Sequence, residues 1–132
     1  MKRIVMLLFP MIALAAAGGD GAKSKEGKLG ALWKESVSNE QSGNREKALD
    51  AAARYLREGG DPYLANMRTA WIHYGQKQYA EAARFYQAAA RIQPSAVSPR
   101  IGLLNIATDK GDTAAAMKAG EFVLSVDKTN IR

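Results

Sequence analysis

Apolar residues recur at helical spacing from near Leu29 to Val126, and the run is broken at regular points. The breaks are Ser42-Gly43-Asn44, Gly59-Gly60-Asp61-Pro62, Gln76-Lys77-Gln78, Gln93-Pro94-Ser95 and Lys110-Gly111-Asp112. They divide the stretch into six helices of about three turns each. Alanine dominates the 47% apolar share and β-branched residues are sparse, so helix is favoured over strand throughout. Helices this short cannot bury their apolar faces alone and must stack on neighbours.

The even spacing of the breaks points to an internal repeat. A shift of 34 residues places Ala48 on Ala82 and Ala116, Arg57 on Arg91, and Ser36, Ala70 and Leu104 in one column, and twice that shift places Gly43 on Gly111. Small residues recur where paired helices approach most closely, so a larger side chain at Ala82 would force the pair apart. Helix-start signals agree with this division. Asp61 with Pro62 and Ser98 with Pro99 form cap-and-proline starts, and Asn44 and Asp112 are capping residues before two further helices. Glu81, three residues after Gln78, supports another start. Gly59-Gly60 ends a helix in the left-handed conformation. Gly102 and Gly120 lie inside helices at a cost of about 1 kcal/mol each against alanine, which close backbone approach would offset.

Residues 1–17 have a different character. Met1-Lys2-Arg3 is a positive head, Ile4 to Leu14 an apolar run, and Ala15-Ala16-Ala17 a small-residue exit, the three parts of a secretory signal peptide. The run is too short to span a bilayer core of about 30 Å. Cleavage after Ala17 is expected, leaving an exported, periplasmic or secreted chain with no stable membrane anchor. Residues 18–28, rich in glycine and lacking large apolar side chains, read as a flexible leader onto which nothing packs.

Several functions are disfavoured by what the chain lacks. There is no cysteine and one histidine, His73, so disulfides, thiolate chemistry and a histidine-built metal site are not expected. His73 reads as a packed, hydrogen-bonded side chain on the face that meets the paired helix. No nucleophile with a base and no phosphate loop is present, so neither an enzyme nor a cofactor site is expected. The formal charge of +6 falls to +4 without Lys2 and Arg3, and the arginines, Arg54, Arg68 and Arg84 among them, alternate with acids and alanines. They read as a solvated surface rather than a nucleic-acid stripe.

The stretch Tyr63 to Pro94 resembles a tetratricopeptide repeat. The resemblance rests on Ala70, Tyr79, Ala82, Tyr86, Ala89 and Pro94, with Tyr79-Ala80-Glu81-Ala82-Ala83 its most specific part. The stretch Leu29 to Gly60 is similar at Gly43, Ala48 and Leu49 but carries Tyr55 where a small residue is usual. The stretch Val97 to Asn130 is similar at Leu104, Gly111, Ala116 and Val123 but carries Gly120 where an aromatic is usual. The resemblance implies an all-α, right-handed α-solenoid of three helix-turn-helix repeats over about 29–62, 63–96 and 97–130.

By the same resemblance, first helices line a concave peptide-binding groove. The groove positions fall on Trp33 and Val37, on Met67, Trp71 and Tyr74, and on Ile101, Asn105 and Thr108. Some members of the family clamp a C-terminal carboxylate with lysines and asparagines at such places. Here only Asn105 suits that task, and the aromatic set suits an apolar or amphipathic peptide instead. The implied function is an interaction scaffold of the bacterial envelope with a protein or peptide partner. The alternative is a self-associating module, or part of a longer array. Leu103, Leu104, Phe122 and Val126 would then face an uncapped end and support a homo-oligomer.

Overall fold

Six helices follow one another with short turns in the computed structural model, which describes residues 24–130, with side chains through Val126. They are α1 (residues 24–41), α2 (Arg45–Arg57), α3 (Pro62–Gly75), α4 (Tyr79–Ile92), α5 (Ser98–Lys110) and α6 (Thr113–Asn130). No strand occurs among the described residues. The expected signal segment and residues 18–23 of the leader lie outside them. Second helices begin at Arg45, Tyr79 and Thr113, so the 34-residue register holds in the backbone. The chain is an all-α solenoid of three helix pairs.

The turns inside the three pairs share one conformation. Gly43, Lys77 and Gly111 occupy equivalent places at φ 83°, 58° and 73°. A left-handed residue is needed there to redirect the chain, and glycine adopts it without a Cβ clash. Lys77 adopts it with a side chain. Between the first two pairs, Gly59 at φ 93° ends α2, and the Asp61 carboxylate accepts from the amides of Tyr63 (2.8 Å) and Leu64 (3.2 Å) to open α3. Asp112 caps α6 through the Ala115 amide at 3.1 Å.

Other expected caps are not formed. Asn44 makes no capping hydrogen bond, and the cap place of α5 falls on Val97, which has no polar side chain, so Ser98 is already inside the helix. Gln78 turns to His73 and Glu81 pairs with Arg84 at 2.8 Å, so these two do not support each other at the start of α4. The leader also ends sooner than its glycines suggest, because residues 24–28 are the first turns of α1. Lys28 pairs with Glu58 at 3.0 Å, and the Lys25 side chain comes up beside Gly59. The two cations thus meet the carbonyl end of α2, where positive charge is favourable.

Two apolar clusters hold the stack. Leu32, Tyr55 and Ala65 join the first pair to α3. Ala70, Ala82, Tyr86 and Ile106 join the second pair to α5. Each cluster needs a glycine. A Cβ on Gly60 would overlap the Tyr55 ring, and one on Gly102 would fall 2.5 Å from Tyr86. Tyr55, unusual for its position, is accommodated in this way, and its hydroxyl accepts from the Asp61 amide at 3.2 Å. The expected close approach at Gly120 is absent, since a Cβ there would meet nothing within 4 Å.

Arg68 departs furthest from expectation. It is 9% exposed and sits between pairs rather than on a solvated surface. Its guanidinium donates to the Ser36 hydroxyl and carbonyl, both at 3.1 Å, while Ser36 donates to the Ala48 carbonyl at 2.9 Å. Glu40 lies 3.3 Å from the same guanidinium as an ion pair without an aligned hydrogen bond. Arg68 and Gly102 are equivalent positions, as are Ala52 and Tyr86. The two junctions therefore exchange large for small in opposite senses, a volume-conserving solution to the same gap.

Candidate functional site

The first helices present their outer faces to one side of the stack, and a hollow of about 440 Å³ opens between them. Trp33 from α1 and Met67 and Trp71 from α3 form its apolar walls, and Leu64 and Tyr63 extend it toward the start of α3. Arg68, Tyr86 and Ser98 complete it. Trp71 is 51% exposed and Leu64 42%, a large apolar surface left in water by a small chain.

Each wall is positioned by packing beneath it. Trp33 is half-buried against Leu32, Tyr55 and Ala65 and meets the Tyr55 ring edge-on at 5.4 Å. It is thus both core and lining. Met67 and Trp71 are one turn apart on α3, so they present neighbouring side chains. Tyr74, a further three residues on, stands 6.1 Å from Trp71 between ring centres. Its hydroxyl donates to Asp109 at 2.7 Å, and Tyr79 reaches the same carboxylate at 3.4 Å. That bond, made foremost with the Asp109 carboxylate, pushes the Tyr74 phenol up to about 12.

Of the eight expected groove residues, Trp33, Met67 and Trp71 are brought together in this hollow. Tyr74 stands beside it, committed to Asp109. Ile101, Asn105 and Thr108 form an exposed face of α5 outside the hollow, with the Thr108 hydroxyl spent on the Leu104 carbonyl at 2.8 Å. Val37 on α1 is half-buried and does not line it. Leu64, Tyr63 and Arg68 were missed by sequence reasoning. Leu64 and Tyr63 are one turn before Met67 and were legible by helical spacing, whereas Arg68 gave no signal among many surface arginines.

His73 packs as expected on the face toward α4. Its ring stacks on Phe85 at 5.6 Å and its Nδ1 lies 2.6 Å from the Gln78 side-chain oxygen. Among the described residues no cluster of three or more histidine or acidic side chains could hold a metal, and no helix is long and apolar enough to cross a membrane.

Residues 63–96 match the family model of the tetratricopeptide repeat. No curated protein matches the chain. Among solved structures, it is similar to the second TPR of Spaghetti (RPAP3), bound to the HSP90 peptide SRMEEVD. That likeness has a TM-score of 0.63 at 17% identity and covers 83% of this chain and 97% of the other. At such identity it establishes the fold, a tetratricopeptide-like solenoid, and that alone.

Proposed function

We propose that the chain is a protein-interaction module that holds an apolar or amphipathic peptide on its first-helix face. The observation that carries this is Trp71, half exposed above a hollow walled by Met67 and Trp33. An indole contributes a large contact area with little entropy to lose, and such residues dominate binding energy when they close a pocket. The solved neighbour, itself peptide-bound, supports the reading by analogy of fold. The amino-terminal sequence supports an exported protein acting in the bacterial envelope.

The test uses a peptide array probed with the chain from Gly18 to Arg132, followed by titration of the best binder. Trp71→Ala should weaken binding by about thirtyfold, a hot-spot loss, and Trp71→Phe by less. The variant should keep its helical circular dichroism, because Trp71 is half exposed and lies outside the buried clusters. Equal affinity of parent and Trp71→Ala would remove the hollow as the site. Export is tested separately, by sequencing the mature amino terminus from a periplasmic fraction. A chain that keeps Met1 in the cytoplasm would overturn it.

A second reading, self-association, has an observation of its own. Met117 and Leu124 on α6 are 63% and 62% exposed. Phe122 is not part of that surface, since it lies under the Arg100 guanidinium at 4.6 Å. A dimer built on this end would be dissolved by Leu124→Asp, and sedimentation of a monomer at high concentration would exclude it.

A further inference from the structure

The opposite face of the stack carries two clefts, each between successive second helices and floored by a first helix. One, of about 260 Å³, lies between α2 and α4 and is lined by Leu49, Ala53, Asn66, Thr69, His73 and Phe85. The other, of about 710 Å³, lies between α4 and α6 and is lined at the equivalent places by Ala83, Gln87, Arg100, Leu103, Ala107 and Ala119. These sets are related by the 34-residue repeat. In the small cleft the stacked His73 and Phe85 rings take up part of the space. In the large one both rings are replaced by alanine methyl groups.

The large cleft is therefore a repeat junction without its aromatic plug. Its volume falls in the range of small-molecule sites, roughly 300–1,000 Å³. Leu103, Ile106 and Phe122 make its apolar interior. At one end stands Arg100, whose Nε is buried and has no hydrogen-bond partner. The guanidinium face is covered by Phe122 at 4.6 Å, so an acceptor can reach it only at its edge. That Nε is closed off from the cleft, while the rest of the half-buried Arg100 side chain lines it and can meet an acceptor there. A smaller recess shared by Gln87 and Arg100 adjoins the cleft and adds Arg91. Lys110 and Lys118 are further cations in the lining. Of its two acids, Asp112 is committed to the Ala115 amide, and Glu121 is exposed.

We propose that this cleft binds a single-chain anionic amphiphile. The alkyl chain lies between α4 and α6 and the acid group accepts from Arg100, with Arg91 beside it. Such a ligand supplies apolar atoms in place of the ring pair and an anionic group beside the Arg100 guanidinium. The site is on the face away from the Trp71 hollow and does not depend on the peptide-binding reading.

The probe is dodecanoate below its micelle concentration, titrated calorimetrically into the chain from Gly18 to Arg132. Saturable binding with one site is expected. Ala119→Phe, which restores the ring present at the equivalent Phe85, should abolish it without lowering the unfolding midpoint. Arg100→Gln should weaken it by about tenfold, and dodecyl maltoside, of equal chain length but uncharged, should bind no better to the parent than to Arg100→Gln. No binding of dodecanoate, or undiminished binding to a folded Ala119→Phe, would overturn the proposal. So would binding seen only to dodecanoate-doped vesicles, which is adsorption of surface cations. Dimers of the parent that Ala119→Phe dissolves would assign the cleft to a second copy instead. An acidic amphipathic peptide that enters the cleft while dodecanoate does not would assign it to a protein partner.

Discussion

At the scale of single residues, Gly102 and Gly120 are one substitution with opposite outcomes. Both lie inside helices, where alanine is favoured by about 1 kcal/mol. At Gly102 the Tyr86 ring occupies the place of a Cβ, whereas at Gly120 the place is open. Gly120→Ala should therefore stabilise the chain by up to about 1 kcal/mol, and Gly102→Ala should destabilise it. Urea denaturation of both variants checks the sign. Arg68 is a second such site. Replacing it with alanine leaves Glu40 and Ser36 without their partner and should cost about 3 kcal/mol, toward the lower end for broken buried pairs because the Glu40 side chain keeps 21% exposure. Arg68→Met combined with Glu40→Gln should recover part of that loss, since no charge is then stranded.

At the scale of elements, the turn between α3 and α4 differs from its two counterparts. Lys77 holds the left-handed place that Gly43 and Gly111 fill elsewhere, at φ 58°. A residue with a Cβ pays roughly 1–2 kcal/mol in that region, and glycine regains it less the extra freedom it has when unfolded. Lys77→Gly should raise stability by about 0.5 kcal/mol, read from the same denaturation midpoint. The helix starts show a parallel spread. Asp61 and Asp112 complete their caps, Asn44 and Gln78 stand at the cap place without a side-chain bond, and α5 starts one residue early, with Val97 in the place expected for Ser98. Cap propensity selects candidates, and the direction of the incoming chain decides which of them reaches an amide.

At the scale of the whole molecule, Tyr74 and Asp109 tie the second pair to the third. The folded Tyr74 phenol is raised to about 12, through its bond to Asp109, from an unfolded value of about 10. Tyr79 and Tyr86 are also raised, both chiefly by desolvation. A raised tyrosine is held neutral by the fold, so its contribution is intact below about pH 10 and is lost as pH rises from there toward 12. Denaturation midpoints should fall across that window, and Tyr74→Phe should flatten the fall while lowering stability near neutrality. An unchanged slope in Tyr74→Phe would mean that the contact does not join the pairs.

The sequence alone determined what depends on local pattern and on backbone chemistry. Helical spacing, glycine and proline punctuation and the recurrence of small residues every 34 positions were enough for six helices in three pairs. The stretch around Tyr79 to Ala89 was enough for the repeat type. Part of the candidate site was legible as well, because Met67 and Trp71 share a face by helix geometry and Trp33 holds the corresponding place on its own helix. The tertiary structure decided whatever depends on volumes meeting across helices. Arg68 is buried because Ala52 leaves room that Tyr86 fills at the next junction. Gly102 is required and Gly120 is not, according to which ring stands opposite. Ala107 and Ala119 sit on the consecutive helices α5 and α6, and the cleft they open takes its remaining wall from α4, so it exists only where three helices meet. Periodicity describes one helix at a time, while burial and cavities belong to pairs and triplets of helices, so no reading of a single segment could reveal them.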